Sequence, residues 1–370
     1  MKTLAQLNPP SPIQTLHPAQ GQLLDQPLVL LFNCISDGNS GIFHNLFFLF
    51  YSPAKVDCKV VKGVAKTGIY VPGDLKVDEE KMRARWNKVF LMGKYWPINP
   101  RYILRSKQSK GGDTVESGLF NEFWFLTDPA VFIQHCLPKD PEDQMLPPSM
   151  RIKTEREYMK LPNLTPAFIE FGLRLTSEEQ CIIEAVEGLT KVTFKAERNL
   201  TKNFDCDFSR DELRNILNLS GKTDQNITNA LKGINTDQLV FCSRKKNQFM
   251  FEIRCPVEGA AYFLTTLGGI LGEGKKTLSK TKIVCREKME NFKPFPENPG
   301  NIGWGFGPRA KMAGLKTTSQ KEPRFILTEG RTKIKFTLDQ KVDKKTGFNA
   351  TLSGEGKTAE DLSGMNYSSV

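Results

Sequence analysis

The stretch from Arg83 to Trp96 constrains the fold of this chain more than any other. It reads as two short strands around a Met92-Gly93 hairpin turn, with Trp86, Val89, Phe90, Tyr95 and Trp96 supplying aromatic and β-branched cross-strand mass. From about residue 174 the same period of two recurs. It runs through Cys181–Ile183, Lys191–Lys195, Leu239–Cys242, Gln248–Arg254, Ala261–Thr265 and Lys282–Cys285. Alternation of this kind, with turn residues between the runs, predicts an antiparallel β-sandwich.

At 370 residues the chain has room for two or three domains, each long enough to bury a core. Hydrophobic residues make up 39% and charged residues 25%, the balance of a globular protein. No run approaches the ~20 apolar residues of a spanning helix, since His44 and Asn45 interrupt the longest candidate, Ile42–Tyr51. The start, Met1-Lys2-Thr3-Leu4-Ala5, lacks the apolar segment of a signal peptide, so an intracellular chain is expected. The eight cysteines include no closely spaced pair and no histidine at zinc-finger spacing. Free thiols are therefore the expectation; the alternative is a Cys242–Cys255 disulfide in a secreted sandwich.

The net charge of +11 raises nucleic-acid binding. The densest basic clusters, Arg244–Lys246 and Lys275–Lys276, are only two or three residues long, and no recognition helix accompanies them. A solvated basic surface, compatible with an acidic partner, is the expected reading, with no nucleic acid as ligand. Gly303-Trp304-Gly305-Phe306-Gly307 lacks the Lys-Ser/Thr and the preceding strand of a phosphate loop, so it reads as a turn. No metal, nucleotide or flavin fingerprint is present, and no cofactor is expected.

Composition and patterning divide the chain into six segments. Residues 1–41, rich in Pro, Gln and Asn, read as disordered or atypical; 42–137 as a core of one helix and several antiparallel strands with a flexible insert at Ser106–Asp113. Residues 138–173 form a proline-punctuated connector with a short charged helix at Arg151–Leu161. Then follow a sandwich at 174–290, a linker at 291–315, and a second module at 316–370 with too few strands to be complete. The three histidines are His17, His44 and His135. The last falls in Val131–Leu137, read as an amphipathic helix opened by Thr127-Asp128-Pro129, with His135 on its surface.

Cys58–Tyr70, Arg83–Trp96 and Phe123–Pro129, in that order, resemble the transglutaminase-like core of the kyphoscoliosis peptidase family. Leu146-Pro147, Glu155–Tyr158, Leu161-Pro162 and Phe168–Leu173 resemble the family's exit from that core; Phe295-Pro296 and Gly303–Pro308 resemble its bridge between modules. The resemblance spans roughly 42–352 and implies an α+β protein. Its parts would be a truncated transglutaminase-like (papain-like) core followed by all-β Ig-like sandwich modules.

The family's triad is a helix-borne cysteine, a histidine heading a His-Ala-Trp-Asn strand, and an aspartate on the next strand. Laid onto this sequence the three fall on Ser40, Ala84 and Asn99. A thiolate needs an imidazole as base, and the imidazole needs a carboxylate to fix its tautomer. Ser40 is a weak nucleophile without a base, Ala84 accepts no proton, and Asn99 orients an imidazole imperfectly.

The resemblance therefore implies a catalytically inactive scaffold that binds cytoskeletal partners. The implied setting is cytoplasmic and cytoskeleton-associated, in muscle, with filamin-type partners at Z-discs. The alternative is an active cysteine peptidase of the family with a displaced triad, for which Cys34 and His44 are the fallback pair. The expected partner site is an open sheet edge in the last module, lined by Lys333, Lys335 and Phe336.

Overall fold

Strand pairing organises both halves of the chain. The computed structural model describes residues 57–339, apart from 67–69, 104–105, 111–112, 118–120, 178, 197–203, 298–302, 321 and 325–333. The chain divides into two compact units, Met1–Leu161 and Pro162–Val370.

In the first unit, β1 (Cys58–Ala65), β2 (Arg83–Leu91) and β3 (Lys94–Ile98) form an antiparallel sheet. The β2–β3 hairpin closes at Leu91 opposite Lys94, with Met92 at φ 52° and Gly93 at φ 80°. Positive φ at both turn residues matches the right-handed twist of the flanking strands. The segment read as a flexible insert instead pairs as β4 (Ser106–Lys110) with β5 (Asp113–Ser117). A fourth strand, β6 (Cys136–Pro138), adds to β1 and gives the order β3-β2-β1-β6. The helices are short: α1 (Glu79–Met82), α2 (Pro100–Ile103), α3 (Pro129–Phe132) and α4 (Glu155–Lys160).

Strand β6 corrects the expected helix at Val131–Leu137. Asp128 caps α3 by accepting from Ala130 N–H, as the Asp-Pro signal predicts, but the helix ends at Phe132. Beyond it, Leu137 pairs with Val64, Lys66 N–H donates to His135 O, and Lys139 N–H donates to Lys62 O. Pairing with β1 outweighs the weak local preference of a short apolar run. Pro138 is tolerated because it lies on an edge strand, where a missing N–H breaks no central ladder. His135 is accordingly buried, not on a helix surface.

Residues 138–161 fold onto this unit. Tyr158 of α4 is fully buried; its hydroxyl donates to His135 O at 2.6 Å and accepts from Lys66 N–H at 3.1 Å. Gln144 exchanges two 2.8 Å hydrogen bonds with the backbone of Ile152.

The second unit is a two-sheet sandwich. β8 (Leu173–Leu175), β10 (Leu189–Ala196), β13 (Val240–Lys245) and β14 (Gln248–Arg254) form one sheet in the order β13-β14-β10-β8. β7 (Asn163–Leu164), β11 (Phe204–Phe208), β15 (Ala260–Ile270) and β16 (Lys276–Val284) form the other, in the order β11-β15-β16-β7. β9 (Ile182–Glu184) runs parallel to β16, and β12 (Leu217–Asn218) pairs with β15. Helices α5 (Pro166–Glu170), α6 (Arg210–Arg214) and α7 (Gln225–Ala230) connect strands. The inward faces interdigitate Phe194, Phe204, Phe208, Phe249 and Phe251, as the period-two pattern requires, and Phe168 of α5 packs into the same core.

Cys255 and Cys285, just past the ends of β14 and β16, form a disulfide, which corrects the expectation of free thiols for these two. The alternative partner for Cys255 was Cys242; the sandwich places that residue on β13 instead, where its thiol donates to Cys206 O.

The face of β13 and β14 turned away from this core is also covered. Phe295 is buried against Phe241, and Arg254 lies 3.8 Å above the Phe295 ring. Glu252, 3% exposed, accepts from both terminal nitrogens of Arg324 at 3.1 and 3.2 Å. Further on, α8 (Pro308–Met312) leads into β17 (Leu315–Thr318), which pairs with β18 (Phe336–Leu338).

Candidate functional site

The β1–β2 register sets Ala84 opposite Gly63. A Cβ on Gly63 would lie 2.1 Å from Leu137 O and 2.6 Å from the Trp86 ring, so only glycine lets β6 and the indole close over β1 at this point. Trp86, two residues past Ala84, is fully buried with Val61, Ala65, Phe132 and Cys136, and Ala84 packs against the same cluster.

Asn99 follows β3 directly. Its N–H donates to Trp124 O at 2.9 Å, and its carbonyl receives Tyr102 and Ile103 N–H at the start of α2. The side chain is 1% exposed; its Nδ2 lies 4.0 Å from Cys136 Sγ, and its Oδ1 has no hydrogen-bond partner. Of the residues chosen from the family resemblance, Asn99 thus meets the buried Cys136 thiol, and Ala84 packs against the cluster that holds it. Ser40, Cys34 and His44 lie outside the described residues.

His135 is the second group that the sequence reading did not assign. Its ring packs edge-on against Phe123 at 5.2 Å and Trp124 at 5.5 Å between centroids, and its Nε2 has no hydrogen-bond partner. Burial in this aromatic nest, with the Lys66 cation as a lesser cause, lowers its pKa to about 3. Burial likewise raises the Cys136 thiol far above its ordinary range, against a smaller opposing effect of the Asn99 amide. Cys58, whose Sγ accepts from Asn87 Nδ2 at 3.6 Å, is pushed up to about 11, mainly by burial. Imidazole and thiols alike are held in their uncharged forms. An uncharged thiol is a poor nucleophile.

Sequence alone gave little notice of His135 and Cys136. Within Val131–Leu137 the residues fit one face of a helix as well as they fit a strand, and only the pairing of β6 turns both inward. Among the described residues no group of His, Cys, Asp and Glu is arranged to hold a metal, and no helix is long and apolar enough to cross a membrane.

An open cleft of about 360 Å³ lies elsewhere in the first unit, lined by Lys88, Tyr95, Pro129, Met145, Leu146 and Met150. Its Lys88 is already paired with Asp143, and its Glu142 with Arg151. Of the expected partner residues, Lys335 is exposed at the start of β18 and Phe336 is 47% exposed. Lys333 lies outside the described residues.

Residues 155–296 match the model of a KY-like, immunoglobulin-like domain. The chain is 25% identical to Hillarin of Drosophila melanogaster over 331 residues, 85% of this chain and 38% of that protein. It is 22% identical to the Lim and transglutaminase domain protein ltd-1 of Caenorhabditis elegans, covering 80% of this chain and 41% of that one. It is 23% identical to human kyphoscoliosis peptidase, covering 84% and 40%. The chain thus spans about two-fifths of the length of the curated relatives it matches. The sandwich match and these relatives agree with the order of motifs read from the sequence and support an assignment to the kyphoscoliosis peptidase family.

Proposed function

We propose that this chain is a catalytically silent, transglutaminase-like scaffold that acts by binding a cytoskeletal protein. One observation carries the reading. Where the family resemblance puts a base and its orienting carboxylate stand Ala84 and Asn99, and the thiol and imidazole nearby, Cys136 and His135, are each kept neutral by burial. A methyl group and an amide supply neither a proton acceptor nor a negative charge near pH 7.

The second reading, an active cysteine peptidase with a displaced triad, draws on the same place. Asn99, His135 and Cys136 are a cysteine, a histidine and an amide close together, the residue types of a cysteine hydrolase. Their burial weighs against it. Alkylation by iodoacetamide across pH 5.5–9, read residue by residue by mass spectrometry on the full chain, separates the two. The scaffold reading expects every thiol to react slowly below pH 7, and no hydrolysis or transamidation of a glutamine-containing peptide. A thiol that reacts fast at pH 6, with turnover lost on its replacement by Ala, would overturn it.

The partner class comes from the family resemblance. A filamin-type Ig repeat, itself a β-sandwich, suits an exposed strand such as β18, which starts at Phe336 just after Lys335 and pairs with β17. Retention of such a repeat by the full chain, reduced at least tenfold by Phe336→Ser with Lys335→Glu, is the expected result. Equal retention by both proteins would move the search to the first unit.

A further inference from the structure

Strands β11 and β13 are the edge strands of the two facing sheets, and they meet at one corner of the sandwich. Two side chains of β13 reach across to the β11 backbone. Arg244 Nη1 donates to Phe204 O at 3.0 Å, and Cys242 Sγ donates to Cys206 O at 3.7 Å. The pairs 244–204 and 242–206 have the stagger of antiparallel neighbours, yet among the described residues no backbone ladder joins the strands.

The side-chain alternation then decides where the two sulfurs face. Phe204 and Phe208 point into the core, so Cys206 between them points the same way, while Asp205 and Asp207 face out and hold Lys275 at 3.3 and 3.4 Å. On β13, Val240 is in the core and Cys242 follows two residues on. Both cysteines pack against the same core, at the same seam.

We propose that Cys206 and Cys242 are a paired thiol modification site, closed into a second inter-sheet disulfide by a small disulfide oxidant of the glutathione class. The balance is two exchanges. One cysteine thiolate attacks the oxidant's S–S bond, forms a mixed disulfide and releases one glutathione thiolate. The second cysteine thiolate attacks the protein sulfur of that mixed disulfide and releases the other. The two protein sulfurs are oxidised, the oxidant is reduced to two glutathiones, and the two protons from the cysteines end on them.

The existing Cys255–Cys285 bond joins the sheets past the ends of β14 and β16. The new bond would join them at their free edges, where the Arg244 and Cys242 side chains now bridge β13 to β11. Burial keeps both thiols protonated, reinforced at Cys206 by Cys242 and at Cys242 by Asp207, so closure is slow at neutral pH and quickens as pH rises.

The test uses the native full chain, incubated with oxidised glutathione at pH 8 and then blocked with N-ethylmaleimide in denaturant. Trypsin without reductant releases Cys206 in peptide 203–210 and Cys242 in peptide 233–244. The expected product is these two peptides joined, two hydrogens lighter than their sum. With it comes a rise in Tm on the order of 10 °C, reversed by reductant and absent in Cys206→Ser and Cys242→Ser. Recovery of both peptides as N-ethylmaleimide adducts, as separate glutathione adducts, or joined to other cysteines would overturn the assignment.

Discussion

Replacing His135 should remove a specific part of the acid sensitivity of the first unit. In the folded chain its pKa is lowered to about 3, because the ring is buried against Phe123 and Trp124 with Lys66 nearby. In the unfolded chain it returns to about 6.5. The folded pKa lies below the unfolded one. Between those values the unfolded state therefore binds a proton that the folded state refuses. Stability from this group is fully present above pH 6.5, falls as pH drops through 6.5, and levels off below about 3. The slope in that window is about 1.4 kcal/mol per pH unit, so moving from pH 7.5 to 5.0 costs about 2 kcal/mol.

His135→Phe keeps an aromatic ring in the nest and abolishes the titration. Three of the four tryptophans, Trp86, Trp96 and Trp124, belong to the first unit, so indole emission during urea unfolding reports chiefly on it. The expected outcome is that the native protein loses about 2 kcal/mol more than the variant over that pH interval, whatever their difference at pH 7.5. Parallel losses in the two proteins would refute the reasoning, and would mean that the imidazole is solvated.

Other perturbations follow from particular contacts. Gly63→Ala forces a methyl group onto Leu137 O and the Trp86 ring, and should lower the stability of the first unit by about 2–3 kcal/mol, seen as a shifted urea midpoint at unchanged slope. Arg324→Met removes the two-nitrogen partner of the buried Glu252 carboxylate and leaves it the more distant Lys191, at 3.6 Å. It should cost about 1–2 kcal/mol, and a double-mutant cycle with Glu252→Gln should return a coupling of about 1 kcal/mol. A coupling near zero would mean that the two side chains do not meet in solution.

Much of the fold is legible where neighbouring residues decide it. Met92-Gly93 fixes the β2–β3 hairpin because a two-residue turn needs positive φ, and the runs at 191–195 and 248–254 appear as β10 and β14 because alternation admits few other structures. Asp128 before Pro129 starts a helix, and Thr154 caps α4, since each side-chain oxygen takes a backbone N–H that the first turn leaves free. The choice of Ala84, two residues before Trp86, and of Asn99, just past β3, rested on the family resemblance and not on local pattern.

The remainder lay in pairings between residues far apart in the chain. Cys136–Pro138 becomes a strand because β1, about 70 residues earlier, offers an open edge to it. That one pairing buries His135 and brings Cys136 to Asn99, turning two ordinary-looking side chains into uncharged core groups. Cys255 finds Cys285 across the sandwich, 30 residues on, because the ends of β14 and β16 face each other. Local sequence determined where strands, turns and caps form, since those depend on backbone preference and the period of the side chains. Tertiary structure decided which strands share an edge and which polar groups lose their water, because both depend on contacts that neighbouring residues do not encode.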